Sequence, residues 1–166
     1  DPLVEAGFAV LRFDFRGCGE SGGQRGLIKP SHQIEDLKNA VTYLRSRDEV
    51  EGESIGVCGH SLGGAVALAV SSEDRRIKAV VSVSAPSNLS PAFRGLPAPA
   101  DLERLLALIS RDKVSRAYGK PSKLSLAEMP TRQRRVCEAD LQAAAALLGD
   151  PLVTTELLVE SLEDLL

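Results

Sequence analysis

The sequence predicts an α/β fold, in which the central part of a parallel sheet of three strands with flanking helices is followed by an all-helical segment. Two observations lead to this prediction. Through residue 86, stretches typical of strands and helices alternate in the order strand, helix, strand, helix, strand, which is the pattern of a parallel sheet. From residue 87 onward, proline, alanine and leucine dominate and no strand pattern recurs. We therefore expect a sheet-containing part at 1–86 and a helical part at 87–166.

Each predicted strand is short and rich in β-branched or aromatic residues. The first, over 7–15, reads GFAVLRFDF. The second, over 53–58, is expected to be buried, and the third, over 77–86, ends at Pro86.

The two predicted helices between these strands differ in their patterning. Over 31–47, Ser31 is a suitable N-cap, and apolar residues at helical spacing define one buried face: Ile34, Leu37, Val41 and Leu44. Over 61–72 nearly every residue is apolar, so we expect that helix to be buried on all sides.

Three helices are predicted in the second half of the chain. The first covers 99–121, with Gly119 as its stop signal. The second repeats the same logic over 131–151, and the third begins at Asp150.

Charge and hydropathy exclude several classes of partner. A formal net charge of -3 gives no electrostatic basis for binding nucleic acid or an anionic membrane. The one dense basic run, at 132–135, is followed by acidic residues and is interpreted as a solvated helix face. No apolar stretch reaches the length of a membrane span, and no signal peptide is visible.

The three cysteines, Cys18, Cys58 and Cys137, are widely spaced and form neither a CxxC pair nor part of a histidine cluster. The sequence therefore predicts no metal site. Reduced thiols are typical of a cytoplasmic protein, and that is the expected location.

A glycine-rich loop after the first predicted strand contains the pattern GxGxxG at Gly17, Gly19 and Gly22. A dinucleotide site needs the third glycine in the opening turn of a helix. Further glycines and Pro30 follow here, so no helix is expected before about residue 31. The loop is interpreted as a tight turn that needs glycine for positive φ, and a Rossmann-like binding protein is disfavoured.

The stretch GHSLG at 59–63 matches GxSxG and lies between a predicted strand and a predicted helix, as a nucleophile elbow requires. The sharp turn should strain the backbone of Ser61, with Gly59 and Gly63 giving it room. The helix would direct its first N–H groups at the site, so that the N–H of Leu62 stabilises an oxyanion. The alternative is an ordinary glycine-rich turn between a strand and a helix.

The elbow GHSLGG, the upstream GFAVLRFDFRGCGESGG and the downstream IKAVVSVSAP together resemble the α/β-hydrolase superfamily. Within it, they are most similar to the branch of serine aminopeptidases, lysophospholipases and small esterases. The resemblance covers about residues 1–87. It implies that Ser61 is the nucleophile, that Leu62 gives one oxyanion N–H, and that residues 87–166 form a helical lid.

The same resemblance implies structural roles for Asp14, Arg16 and Gly17. The rest of the triad is expected outside this chain, because the fold orders it as serine, acid, histidine, whereas the only histidines, at 32 and 60, precede the serine.

His60 is interpreted as a packing residue behind the turn, and His32 as a surface or capping residue. The downstream carboxylates are predicted in helices and not at a strand end: Asp150, Glu160 and Asp164. The chain is therefore expected to be an incomplete fragment, with the triad acid, the histidine and the second oxyanion donor lying outside it.

The sequence thus predicts serine hydrolase activity in the full-length parent, through an acyl-enzyme on Ser61 and without a metal or organic cofactor. The substrate would be a small-molecule acyl ester or a peptide-like amide, and this chain alone would be inactive. The alternative is a non-catalytic binding or scaffolding module of the same fold. The sequence does not separate esterase, thioesterase, lipase and peptidase, or indicate an oligomeric state.

The resembled fold also predicts a weakness in this chain. In the α/β-hydrolase fold, a further strand lies between the strands predicted here at 7–15 and 53–58. Without that strand, backbone N–H and C=O groups at the strand edges have no partner. We expect the isolated chain to be marginally stable or aggregation-prone, with 7–15 either apart from the other strands or mispaired.

Overall fold

The computed structural model describes residues 2–86, 99–125, 128, 156–158 and 160–161. The chain divides into two compact units, Asp1–Arg16 with Pro30–Pro86, and Gly17–Lys29 with Ser87–Leu166. The first unit contains α1 (Pro2–Glu5), α2 (Pro30–Arg45), β1 (Ile55–His60), α3 (Leu62–Glu73) and β2 (Ile77–Val83). The second contains α4 (Pro99–Ala117), β3 (Lys123–Ser125) and β4 (Glu156–Leu158). The predicted division at 86/87 stays a prediction, although the structure groups residues 17–29 with the second unit.

The first unit is built on a parallel pair of strands joined by a helix. β1 and β2 are paired from Ile55 opposite Ile77 to His60 opposite Val83, with an irregularity between Ile55 and Gly56. The predicted α/β architecture is thus confirmed in this unit, because strand, helix and parallel strand follow one another as expected.

The first predicted strand, over 7–15, is not part of this sheet. Residues 8–15 have no strand pairing, and the sheet of the first unit has two strands, not three, within the described ranges. A strand needs a partner for its N–H and C=O groups, and β-rich composition alone does not supply one. The sequence predicted that this segment would be either separate from the other strands or mispaired with one of them. In the structure it is separate from them.

The core of the first unit lies between α2, α3 and the sheet. Its buried residues are Val41, Ile55, Val66, Val70 and Ile77, and the partly buried residues packed against them are Phe15, Ile34, Leu37, Leu44 and Val57. The predicted apolar face of α2 is therefore confirmed. The helix begins at Pro30, so Ser31 lies inside the first turn and is not the N-cap that was predicted. Proline suits the first helical position because its φ is already helical.

One face of the two-stranded sheet is open. The side chains that point away from α3 are all exposed, and we call this set the open face: Cys58, His60, Ala79, Val81 and Val83. The prediction of a buried second strand is therefore wrong for one side of β1. Leu68 of α3 is also 47% exposed, so that helix is not buried on all sides.

In the second unit, α4 ends close to where the sequence predicts. The helix stops at Ala117, and Gly119 adopts a φ of 72°. The N–H of Gly119 donates to Arg116 O at 2.9 Å and that of Lys120 to Ser115 O at 3.0 Å. Glycine closes the helix because it tolerates the left-handed conformation.

The expectation of an all-helical second half is wrong. β3 and β4 pair in antiparallel fashion, with Lys123 opposite Leu158 and Ser125 opposite Glu156. Within the helix predicted from Asp150, the structure has a strand at 156–158, so that prediction is wrong for these three residues. Three-residue strands are too short to show an alternating pattern in the sequence. The helix predicted over 131–151, with its basic run and Cys137, lies outside the described residues.

Buried polar contacts hold the glycine-rich loop within the second unit. The Ser161 hydroxyl, which is fully buried, accepts from the N–H of Ile28 at 2.9 Å and donates to Gly26 O at 3.2 Å. The N–H of Leu158 donates to the same Gly26 carbonyl at 2.8 Å. Lys29 forms an ion pair with Glu160 at 2.5 Å. The described helices include none that is both long and apolar enough to cross a membrane.

Candidate active site

Ser61 occupies the corner between β1 and α3. Its φ of 51° and ψ of -124° lie outside the regions that non-glycine residues normally adopt. Within the described part of the chain, Ser61 and Ser84 are the two non-glycine residues with positive φ. The strain predicted for Ser61 is therefore present, and such strain is typical of functional positions.

The glycines around Ser61 have unequal steric roles. A Cβ added at Gly59 would lie 2.2 Å from Gly63 O, so no side chain fits there. A Cβ at Gly64 would meet Ser82 Oγ at 2.8 Å and Gly59 O at 3.0 Å, whereas one at Gly63 would meet nothing within 4 Å. The room predicted from Gly59 and Gly63 is thus provided by Gly59 and Gly64, and Gly63 contributes only its backbone.

Backbone hydrogen bonds hold the corner on both sides. The N–H of Ser61 donates to Val83 O at 2.9 Å, which ties the corner to the end of β2. The Ser61 carbonyl accepts from the N–H groups of Gly64 and Ala65 at 3.0 and 3.2 Å, which starts α3. The side chain of Ser61 does not cap the helix.

Leu62 is the first residue of α3. The first N–H groups of a helix have no acceptor within it, and they lie at the positive end of its dipole. The Leu62 N–H therefore lies at the positive end of α3, directly after the strained serine.

The two histidines occupy different surroundings. His60 is exposed on the open face, opposite Val83 of β2. Its interpretation as a packing residue is wrong, because β1 alternates: Gly59 faces α3 and His60 faces the other side. His32 is half-buried in the first turn of α2, one turn before Asp36.

Arg16 links the end of segment 8–15 to α2. Its backbone N–H and its Nε donate to the Asp36 carboxylate at 2.9 and 2.7 Å, and its guanidinium also pairs with Glu35 at 2.8 Å. Burial by itself would raise the pKa of Asp36, but the hydrogen bonds from Arg16 outweigh it and lower that pKa. These contacts are structural in kind, as the resemblance implied for Arg16. Asp14 is exposed.

The glycine-rich loop does not form the start of a helix. α2 begins only at Pro30, and Gly17 and Gly19 both have positive φ. A Cβ at Gly17 would lie 2.5 Å from Gln24 O, so the turn itself requires glycine there. The interpretation as a tight loop is supported, and the helix N-terminus that a dinucleotide site needs is not present at Gly22.

Of the downstream carboxylates, Glu160 belongs to an ion-pair cluster in the second unit. It contacts Lys29 at 2.5 Å and Arg116 at 3.2 Å, and the hydrogen bond from Lys29 lowers its pKa. Asp150 and Asp164 lie outside the described residues. Among the residues that are described, no group of three or more histidines, cysteines, aspartates or glutamates is placed to hold a metal ion.

Two features of the corner were not found from the sequence. One is the role of Gly64, which the GxSxG pattern does not include. The other is the carbonyl of Val83 with the unusual φ of 52° at Ser84. The only sequence signal for the latter is the change from β-branched residues to serine, alanine and proline at the end of the third predicted strand.

Comparison with known proteins identifies a family and several relatives that are similar to this chain. The family described as serine aminopeptidase, S33, matches residues 1–166. The quorum-quenching protein AidA of Acinetobacter baumannii (strain MDR-ZJ06) is 35% identical over 129 residues, 75% of this chain and 41% of that protein. The thiohydrolase apmlB of Arthrinium phaeospermum is 36% identical over 116 residues, 69% of this chain and 36% of that protein.

Solved structures show the same fold. The α/β hydrolase GrgF from Penicillium sp. sh18 superimposes with a TM-score of 0.74 at 28% identity, covering 92% of this chain and 52% of that one. This chain therefore spans about half the length of that solved relative and 36% to 41% of the two curated ones.

Proposed function

Because the chain belongs to the serine aminopeptidase S33 family, whose match spans residues 1–166, we propose that it carries the nucleophile of a serine hydrolase. The α/β-hydrolase fold expected from the sequence motifs is confirmed by the solved relatives. The proposed reaction is hydrolysis of an ester, thioester or amide through an acyl-enzyme on Ser61.

The observation that carries this proposal is the conformation of Ser61. A serine with a φ of 51° between a strand and a helix costs conformational free energy. Such strain is retained at functional sites, where it holds a side chain in position for reaction. The steric requirement for glycine at position 59 supports the same conclusion, since the corner excludes side chains behind the serine.

In the proposed mechanism, Ser61 Oγ attacks the carbonyl carbon while a general base takes its proton. Negative charge develops on the carbonyl oxygen, where the N–H of Leu62 donates a hydrogen bond. The intermediate collapses, the leaving group departs with the proton, and an acyl ester on Ser61 remains. Water then attacks that ester by the same route and releases the acid.

The general base and its carboxylate are not assigned to this chain. In the fold's order both follow the nucleophile, and no histidine follows Ser61 among these 166 residues. We therefore expect this polypeptide by itself to be inactive, and the partners of Ser61 to come from other segments of the gene product.

The names of two relatives guide the choice of substrates. One is a thiohydrolase and another a quorum-quenching protein. Small acyl compounds, with thioesters tested beside esters and amides, are the proposed substrate class.

The decisive experiment is labelling of the intact gene product with a fluorophosphonate probe. We expect stoichiometric labelling that Ser61→Ala abolishes. Ser71→Ala is the matched control, because Ser71 is also half-buried and lies on α3, where its hydroxyl donates to Ala67 O at 2.7 Å. Labelling that persists in Ser61→Ala would refute the assignment. A folded gene product that does not label at all would favour the non-catalytic module.

A further inference from the structure

The two strained residues of the first unit are linked through Val83, which precedes Ser84 in the chain and accepts a hydrogen bond from Ser61. Ser61 has a φ of 51° and Ser84 a φ of 52°. Between them, the N–H of Ser61 donates to the carbonyl of Val83 at 2.9 Å, and Ser84 is the next residue. The left-handed turn at Ser84 therefore ends β2 directly after the carbonyl that holds the corner.

Ser82 and Ala85, which lie close to Ser84 in the chain, pack near Gly64 in the first turn of α3. A Cβ at Gly64 would meet Ser82 Oγ at 2.8 Å and Ala85 Cβ at 3.1 Å. The Ser82 hydroxyl is buried there, with no hydrogen-bond partner among the described residues. The end of β2 is therefore held against the start of α3 by close packing at Gly64 and by the hydrogen bond from Ser61 to Val83, without help from the Ser82 hydroxyl.

We propose that Ser84 is a positioning residue for the nucleophile, an inference that rests on the proposed role of Ser61. Its left-handed backbone turns the chain so that the Val83 carbonyl meets the N–H of Ser61 and Ala85 reaches Gly64. An extended backbone at 84 would carry Ala85 away from α3 and loosen the corner. Displacement of a nucleophile by about 1 Å is enough to cost on the order of 100-fold in rate.

This role depends on the backbone of Ser84 and not on its side chain, which is exposed. Glycine and asparagine adopt positive φ readily, whereas β-branched residues resist it strongly. Substitutions at this position therefore separate a backbone role from a side-chain role.

The test uses the intact gene product with Ser84 replaced by Gly, Asn, Thr and Val. The measured quantities are the rate constant of fluorophosphonate labelling, and kcat and KM for p-nitrophenyl butyrate, each per native active site. We expect kcat to fall at least fivefold in Ser84→Thr and at least thirtyfold in Ser84→Val, with KM unchanged within about twofold. Ser84→Gly and Ser84→Asn should stay within about threefold of the parent.

Ser54→Val is the matched control. Ser54 is an exposed serine directly before β1, and its φ is not positive. Its replacement should leave kcat within about twofold, which separates strain at 84 from a general effect of valine.

Equal kcat in all four variants would overturn the inference, and so would an equal loss in Ser84→Gly and Ser84→Val. A lowered melting temperature with unchanged kcat would also overturn it, since that is a structural role alone. If Ser84→Val does not fold, Ser84→Thr decides, because it keeps the hydroxyl and adds one methyl group. A parent that shows no labelling dependent on Ser61 would instead refute the proposed function.

Discussion

Gly59 is the residue at which the corner tolerates no side chain. Its missing Cβ would overlap backbone atoms of Gly63 and Gly64, at 2.2 and 2.7 Å, and backbone cannot move aside as a flexible side chain can. Gly63 differs although it is only four residues away, because its Cβ position is open. The two glycines of this motif therefore differ: the neighbouring backbone excludes a side chain at Gly59 but leaves room for one at Gly63.

The difference between these glycines predicts opposite effects of alanine. Gly59→Ala should lower the free energy of unfolding by about 2–3 kcal/mol and reduce fluorophosphonate labelling at least tenfold, because overlap must be relieved by moving the corner. Gly63→Ala should be neutral or stabilising by up to about 1 kcal/mol, because alanine favours helix. Urea unfolding measures both, and a loss of stability in Gly63→Ala equal to that in Gly59→Ala would contradict the steric explanation.

At the scale of elements, α2, α3 and β2 are held together by Arg76. Its guanidinium pairs with Asp74 at 2.6 Å and donates to Thr42 Oγ1 on α2 at 2.7 Å. Asp74 closes α3, where its N–H donates to Val70 O at 2.8 Å. The side chain of Arg76 thus ties the turn between α3 and β2 to α2.

The hydrogen bond from Arg76 lowers the pKa of Asp74 from 3.8 to about 2. Because the folded-state pKa is lower than the unfolded one, the pair stabilises the protein fully above about pH 4 and loses its effect as the pH falls to about 2. Asp74→Asn should therefore cost about 1 kcal/mol at pH 7 and nearly nothing at pH 2.

Urea unfolding across this pH range checks the prediction. Glu49→Gln is the control, because Glu49 pairs with Arg47 at 2.9 Å with both side chains well exposed. A cost for Asp74→Asn that does not change with pH would mean that the effect is not electrostatic.

At the scale of the whole molecule, two of the described parts of the first unit expose apolar side chains, the open face and the segment 8–15. Val81 and Val83 are 55% and 47% exposed. They are paired with Cys58 and His60 of β1, which are also exposed. Phe8 and Phe13 of the unpaired segment are 62% and 41% exposed. Apolar surface of this kind favours association, and it adds to the open strand edges from which a marginally stable or aggregation-prone chain was predicted.

We expect the 166-residue polypeptide to associate in solution, and the double variant Val81→Thr with Val83→Thr to associate less while keeping its β-branched strand. Sedimentation velocity measures the change. Val57→Thr is the control on the side of the sheet that packs against the core, where it should lower stability without reducing association. The prediction would be contradicted if the unsubstituted 166-residue polypeptide were monodisperse and melted cooperatively above about 65 °C.

The sequence by itself determined the features that depend on local pattern. The order of elements from α2 through β2, the apolar face of α2, the stop at Gly119 and the place of the Ser61 corner all follow from residues close together in the chain. Periodicity, capping and turn chemistry act over a few residues, so they can be read from the sequence directly.

Only the tertiary structure decided what depends on distant neighbours. It left residues 8–15 unpaired, paired β3 with β4, placed His60 on the open face and joined Ser61 to Val83 beside the strained Ser84. Strand pairing and burial are properties of two segments in contact, and a segment's own composition does not say which partner it meets. For this reason the position of the nucleophile could be predicted, whereas the contacts that hold it could not.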